Sequence, residues 1–154
     1  MSYVQSLYHI VFRTYRSERV IREECERDLY AYLYGVALNL RVKVWRIGGM
    51  PDHVHMLVEL PPSLSVASFM QNLKVASSKW MKSQAGFPDF RGWAKEYAAL
   101  SYSLRDKDMI VNYIKRQKEH HKKTTFAEEY ALFLKEYGVE VDERYFLRDE
   151  EREG

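Results

Sequence analysis

Four segments of alternating apolar residues, two of helical spacing between them, and the order in which they come predict an α+β fold. The order is strand, helix, strand, strand, helix, strand. This is the ferredoxin-like split βαβ arrangement, one antiparallel sheet covered on one face by two helices. Two further helices follow, the first of them strongly basic.

The first strand runs from Val4 to Thr14. Tyr8, Ile10 and Phe12 share one face; Leu7, His9, Val11 and Arg13 share the other. His9 is read as a half-buried sheet residue, with a ligand or DNA contact as the sharper alternative. A basic loop carries Arg16 and Arg19 into a helix over Glu23–Leu40, where Leu29, Leu33, Val36, Ala37 and Leu40 recur at helical spacing. Arg41–Ile47 is a second strand, with Val42 and Val44 inward and Trp45 outward. Gly48, Gly49 and Pro51 supply a turn that predicts a hairpin into the strand that begins at His53. Pro61-Pro62 ends that strand, and Ser63 or Ser65 caps a helix reaching about Gln84, with Val66, Phe69, Leu73, Ala76 and Trp80 as its buried stripe. After a loop with Gly86, Pro88 and Gly92, the Trp93–Leu104 segment holds the fourth strand. Asp106 or Asp108 opens the third helix, through about Lys123. Thr124 or Thr125 caps a fourth, with Phe126, Tyr130, Leu132, Phe133 and Tyr137 as its apolar side, ended by Gly138. Val139–Phe146 is a short extension and Arg148–Gly154 a charged end.

The strand from His53 organises the rest. Val54, Met56, Val58 and Leu60 are apolar throughout and face the helices, so His53 and His55 point to the opposite face, expected to be free for ligand. Same-face neighbours on a strand are about 7 Å apart, close enough for two imidazoles to converge on one cation. Ordinary packing of two histidines is the alternative at this point. On the third helix, Tyr113 and Gln117 are four residues apart and so adjacent. A glutamine carbonyl is a neutral oxygen ligand, and a tyrosine hydroxyl becomes a useful nucleophile beside a metal-polarised phosphate.

At 154 residues and 46% hydrophobic content, the chain is one domain with an appendage. The formal net charge of +2 hides an asymmetry: residues 1–127 carry 20 Lys/Arg against 12 Asp/Glu, and residues 128–154 carry 4 against 10. A basic body implies a polyanionic partner. One cysteine, Cys25, excludes an intrachain disulfide and a multi-cysteine metal site. Without a signal peptide or membrane-spanning run, a cytoplasmic location with no membrane partner is expected.

Gly-Gly-Met-Pro-Asp-His-Val-His-Met-Leu-Val from Gly48, followed by Tyr113-x-x-x-Gln117 on a late basic helix, resembles the HUH single-tyrosine transposases, which move small bacterial insertion sequences as single-stranded DNA. The opening Leu-Tyr-His-Ile-Val-Phe-Arg-Thr from Leu7 is similar to that family's first strand, and the similarity runs from about Ser6 to His121. The resemblance implies a divalent metal, Mg2+ or Mn2+, on His53, His55 and Gln117. It implies attack of Tyr113 on a DNA phosphate, giving a 5′-phosphotyrosine link and a free 3′-hydroxyl. It further implies hairpin recognition, and a homodimer whose tyrosine helix serves the partner's histidines. On this reading residues 1–125 form the catalytic domain with the tyrosine helix, and residues 126–154 an acidic C-terminal helix and tail packed on or between subunits. Leu104–Asp108 would be the hinge. Arg13, Arg16, Lys43, Arg46, Lys74 and Lys79 are candidate DNA phosphate contacts, and Trp45, Trp93 and Tyr97 either stack bases or pack the core. The rivals are a non-catalytic, RRM-like nucleic-acid-binding module, which leaves the histidines unexplained, and a host-serving relative that processes repeated palindromes.

Overall fold

The computed structural model describes residues 2–120, 125–136 and 138, without the side chains of His120 and Phe133. The extension and charged end expected after Gly138 lie outside the described residues, as does Tyr137. Four strands form one antiparallel sheet in the order β2-β3-β1-β4: β1 (Leu7–Thr14), β2 (Lys43–Met50), β3 (His53–Glu59) and β4 (Trp93–Tyr102). α1 (Glu26–Asn39) links β1 to β2 and α2 (Val66–Lys82) links β3 to β4. This is the split βαβ order predicted. Ser65 is the residue that caps α2, accepting from the Ser68 N–H at 3.0 Å.

The main core lies between the sheet and α1/α2. Ile10 and Phe12 from β1 and Val54, Met56 and Val58 from β3 meet Leu29, Leu33 and Ala37 of α1 and Phe69, Met70 and Leu73 of α2. Burying each large side chain is worth about 1.5–3 kcal/mol. The α2 stripe is Phe69, Met70, Leu73, Ser77 and Met81 rather than the one ending at Trp80. Trp80 instead stacks on Tyr32 at 4.6 Å, at the seam with α1. Trp93 is core: it packs edge-on to Phe12 at 4.7 Å, and its indole N–H donates to Ser77 Oγ at 2.9 Å.

Two expectations are corrected. Gly48 and Gly49 lie inside β2, and the hairpin turns at Pro51-Asp52. That tip is held by the basic loop: the Thr14 N–H donates to Asp52 O and the Ile21 N–H to Pro51 O, both at 3.0 Å. The glycines serve close approach instead. A Cβ on Gly49 would collide with the His53 carbonyl, and one on Gly48 would sit 2.8 Å from Ile114 Cγ2.

The second correction concerns the sheet face opposite α1 and α2, which is not free. α3 (Lys107–Lys115) lays Ile110 and Ile114 on Leu7 and Leu57, and α5 (Phe126–Glu136) lays Phe126 on Val11 and Ala98. Those four sheet residues are apolar and require cover. Thr125 caps α5, its Oγ1 accepting from the Glu128 N–H at 3.2 Å. Leu132, placed by spacing on the apolar side, is 66% exposed.

Candidate active site

His53 and His55 face α3 and α5 across the covered side of the sheet, both almost fully buried. Each ring is held through Nδ1. His53 Nδ1 lies 2.7 Å from Asp52 Oδ1 and donates to that carboxylate. Burial alone would raise the Asp52 carboxyl. The hydrogen bond and charge of His53, with the charge of Arg19, hold it below its ordinary value. His55 Nδ1 lies 2.8 Å from His9 Nε2. Register explains this contact: His9 pairs with Leu57 across the β1–β3 ladder, so His55 is its diagonal neighbour on the same face. Burial pushes the His9 imidazole down to about 3, which keeps it neutral. His9 is thus a fully buried sheet residue with a specific partner. Assigning the shared proton to His55 Nδ1 leaves His55 Nε2 as a lone-pair donor.

The two Nε2 atoms are turned inward. His53 Nε2 is 3.2 Å from Gln117 Oε1, and His55 Nε2 is 3.8 Å from Glu129 Oε1. Gln117 Nε2 also donates to Glu129 Oε1 at 3.4 Å. Gln117 arrives by a break in the basic helix. α3 stops at Lys115, Arg116 takes φ −93° and ψ 13°, and a new short helix, α4, runs Gln117–His120. The predicted continuous helix is therefore two pieces, and the break falls between Tyr113 and Gln117. The Tyr113 ring nevertheless stands edge-on to His55 at 5.7 Å and to His9 at 6.0 Å. All four residues singled out by pattern meet within one chain.

Glu129 was not among them. It sits on α5 in a run of acidic residues that reads as solvated surface, yet it is 6% exposed. Burial, with the Asp52 charge, pushes its carboxyl up to about 7. Phe126, one turn earlier, stacks on His53 at 4.1 Å and 21°. The only sequence signal was spacing: Phe126, Glu129 and Tyr130 share a helix face. Among the described residues, His53, His55 and Glu129 form a group able to hold a metal ion, their donor atoms all within 4.8 Å of one another. Cis ligands of an octahedral ion at about 2.1 Å stand roughly 3 Å apart, so these donors need to move little to meet around one. Two imidazoles, an amide carbonyl and a carboxylate, with each imidazole hydrogen-bonded from behind, suit a divalent cation.

The candidate DNA contacts divide by location. Arg13 is buried beside His53, its ladder partner, and donates to Ser17 Oγ at 3.3 Å. Arg16, in a left-handed conformation at φ 55°, lies over the Tyr15 ring. Lys43 and Lys107 lie over the Trp45 ring at 3.9 and 4.4 Å. Arg46 is exposed on β2, next to the β-bulge between Val44 and Arg46. Lys74 and Lys79 are on α2, across the sheet from the histidines.

A histidine pair, a tyrosine and a glutamine thus converge on the α3-covered face of this sheet. Residues 2–117 match the family model described as transposase, IS200 like. The transposase for insertion sequence element IS200 of Salmonella typhimurium is 32% identical over 119 residues, covering 75% of this chain and 78% of the relative. The ISDra2 transposase TnpA of Deinococcus radiodurans is 28% identical over 123 residues, covering 75% and 86%. A crystal structure described as a transposase from Deinococcus radiodurans superposes with TM-score 0.59 at 27% identity, covering 76% of this chain and 95% of that one. A REP-associated tyrosine transposase bound to a REP hairpin superposes at 0.58 with 14% identity, covering 79% and 72%. The chain belongs to the IS200-like transposases, enzymes that process DNA. Among the described residues no helix is long and apolar enough to cross a membrane.

Proposed function

We propose that this transposase cleaves and rejoins single-stranded DNA through a covalent link to Tyr113, beside a divalent metal on His53, His55 and Gln117. The observation that supports it most is the convergence of both histidine Nε2 atoms and Gln117 Oε1, all buried, with the half-buried Tyr113 ring beside them. Glu129 adds a carboxylate to the same cluster. When bound, Mg2+ or Mn2+ would supply Lewis-acid polarisation of the scissile phosphate and neutralise developing charge.

The chain's own residues do the rest. The Tyr113 hydroxyl oxygen attacks phosphorus, the tyrosine O–P bond forms, and the P–O3′ bond breaks. The phenolic proton is lost and the departing 3′-oxygen gains one, so the products are a 5′-phosphotyrosine and a 3′-hydroxyl. Another strand's 3′-hydroxyl reverses the step. Asp52 and His9 keep the imidazoles in the tautomer with Nε2 unprotonated. Arg13, beside His53, and exposed Arg16 and Arg46 are phosphate contacts in this reading; Lys43, Lys74 and Lys79 contact strands farther from the site.

Hairpin DNA is the proposed substrate. The catalytic unit is residues 1–125, with the segment 126–154 as an appendage whose α5 borders the site. The residues of a single chain can complete the site, which makes assembly in cis one arrangement. A second arrangement, a homodimer exchanging α3, is favoured by the short polar connection Ser103–Asp106 that carries the helix. It would remake the same contacts in the partner.

The test uses single-stranded hairpin DNA from both flanks of the gene, labelled at either end, with wild-type and His53→Ala protein, in Mg2+, Mn2+ or EDTA. Metal-dependent cleavage leaving an extendable 3′-hydroxyl, lost in His53→Ala, is expected. Tight hairpin binding with no cleavage in any metal would favour the binding-module reading.

A further inference from the structure

A cavity of about 440 Å3 lies between the start of α1, the end of β2 and the α3–α4 junction. That is within the size range of small-ligand sites. Gln117 forms part of its wall and reaches His53 on its far side. Gly48 and Gly49, also in the wall, pair with His55 and Val54 across the ladder. The cavity is thus separated from the histidine pair by a single layer of chain.

Its chemistry is graded. Arg27, Arg46 and Lys115 are exposed at the rim. Deeper lies a fixed polar group. Lys118 Nζ donates to Glu26 Oε2 at 2.7 Å and to the Gly49 carbonyl at 2.9 Å, and the Tyr30 hydroxyl donates to the same Glu26 oxygen at 3.3 Å. Both side-chain bonds fall on Oε2, so the carboxylate presents Oε1 as an acceptor. A cationic rim binds phosphate, Tyr30 in the wall brings an aromatic side chain beside a bound base, and a carboxylate accepts from an exocyclic base amine.

We propose that this cavity is a base-binding subsite for single-stranded DNA that holds a nucleotide adjoining the scissile phosphate and prefers an amine-bearing base to thymine. The proposal rests on the strand-transfer reading for its place beside the scissile phosphate. Thymine has one ring N–H, flanked by two carbonyl oxygens that a carboxylate repels, so its polar edge would be poorly matched. Adenine and cytosine bring an amine to Glu26.

The experiment measures fluorescence anisotropy of labelled dA8, dC8 and dT8 with Tyr113→Phe protein in EDTA, so that neither cleavage nor metal contributes. At least tenfold tighter binding of dA8 and dC8 than of dT8 is expected. Arg46→Ala and Lys115→Ala, both exposed and so compatible with the fold, should weaken all three oligonucleotides several-fold and reduce the salt dependence. Glu26→Gln, with its melting temperature checked, should collapse the difference between bases. Equal affinities for the three oligonucleotides, or discrimination that survives Glu26→Gln while both rim variants bind like the parent, would overturn the proposal. Discrimination in a protein whose wild type never forms a DNA adduct would retain the subsite and remove the strand-transfer reading. An adduct without discrimination would do the reverse.

Discussion

Each strand histidine is held at one ring nitrogen and presented at the other. His9 does this for His55 across 2.8 Å, so its removal should weaken metal binding without removing a ligand. Support of this kind is worth about 10–100-fold in affinity. Calorimetric titration with MnCl2 should therefore show His9→Ala at least tenfold weaker than wild type, and unchanged affinity would deny His9 that role. Glu129 gives a pH signature. Its folded carboxyl titrates near 7, above the ordinary value of 4.5. A carboxyl raised by folding stabilises nothing at low pH and opposes folding as pH climbs from 4.5 through 7. In EDTA, Glu129→Gln should match wild type at about pH 4 and melt higher at pH 8 by at least about 3 °C, where 1 kcal/mol corresponds to about 2–4 °C at this size. A wild type that melts equally at both pH values would contradict the raised value. His53 and His55 were legible because strand alternation separates them from Val54 and Met56. Tyr113 and Gln117 stood out only through the family pattern. His9 was legible only as one of two alternatives and Glu129 not at all: one depends on strand register and the other on how α5 docks.

At the scale of elements, β2 and α3 meet through glycine. Gly48 lies so close to Ile114 that a methyl group must displace it. Gly48→Ala should cost about 1–3 kcal/mol, the usual range for overpacking, and loosen α3 over the histidines. Urea denaturation checks the stability, and a change under about 0.5 kcal/mol would mean that Ile114 simply turns aside. The strands and first two helices were readable because period-2 and period-3.6 patterns are local properties. Of the residues expected to turn the hairpin, Pro51 does so, with Asp52, while Gly48-Gly49 has turn composition but is used for close packing. The covered sheet face was missed for a similar reason. The two histidines on that face point to a ligand, but Leu7, Val11 and Leu57 beside them require an apolar cover.

For the whole molecule, one chain supplies a closed set: sheet histidines, the tyrosine of α3, the glutamine of α4 and the carboxylate of α5. Mixing inactive Tyr113→Phe protein with inactive His53→Ala protein tests that arrangement. Assembly in cis predicts that the mixture stays inactive, because neither chain holds both groups. Recovery toward a quarter to a half of wild-type strand transfer would establish exchange of α3 between subunits. The basic body and the acidic segment after residue 127 were plain in the composition. How the two are divided around the site was not, since composition carries no information on which acidic residue turns inward.

The residue that carries the DNA can be identified directly. Hairpin substrate from the gene's flanks, incubated with wild-type protein and Mn2+ and then digested with protease and nuclease, can be read by mass spectrometry for a nucleotide-modified peptide. One modified peptide is expected, with the added mass on Tyr113, absent in EDTA and absent from Tyr113→Phe. A DNA-linked peptide containing any other residue, or an adduct that persists in Tyr113→Phe, would contradict it.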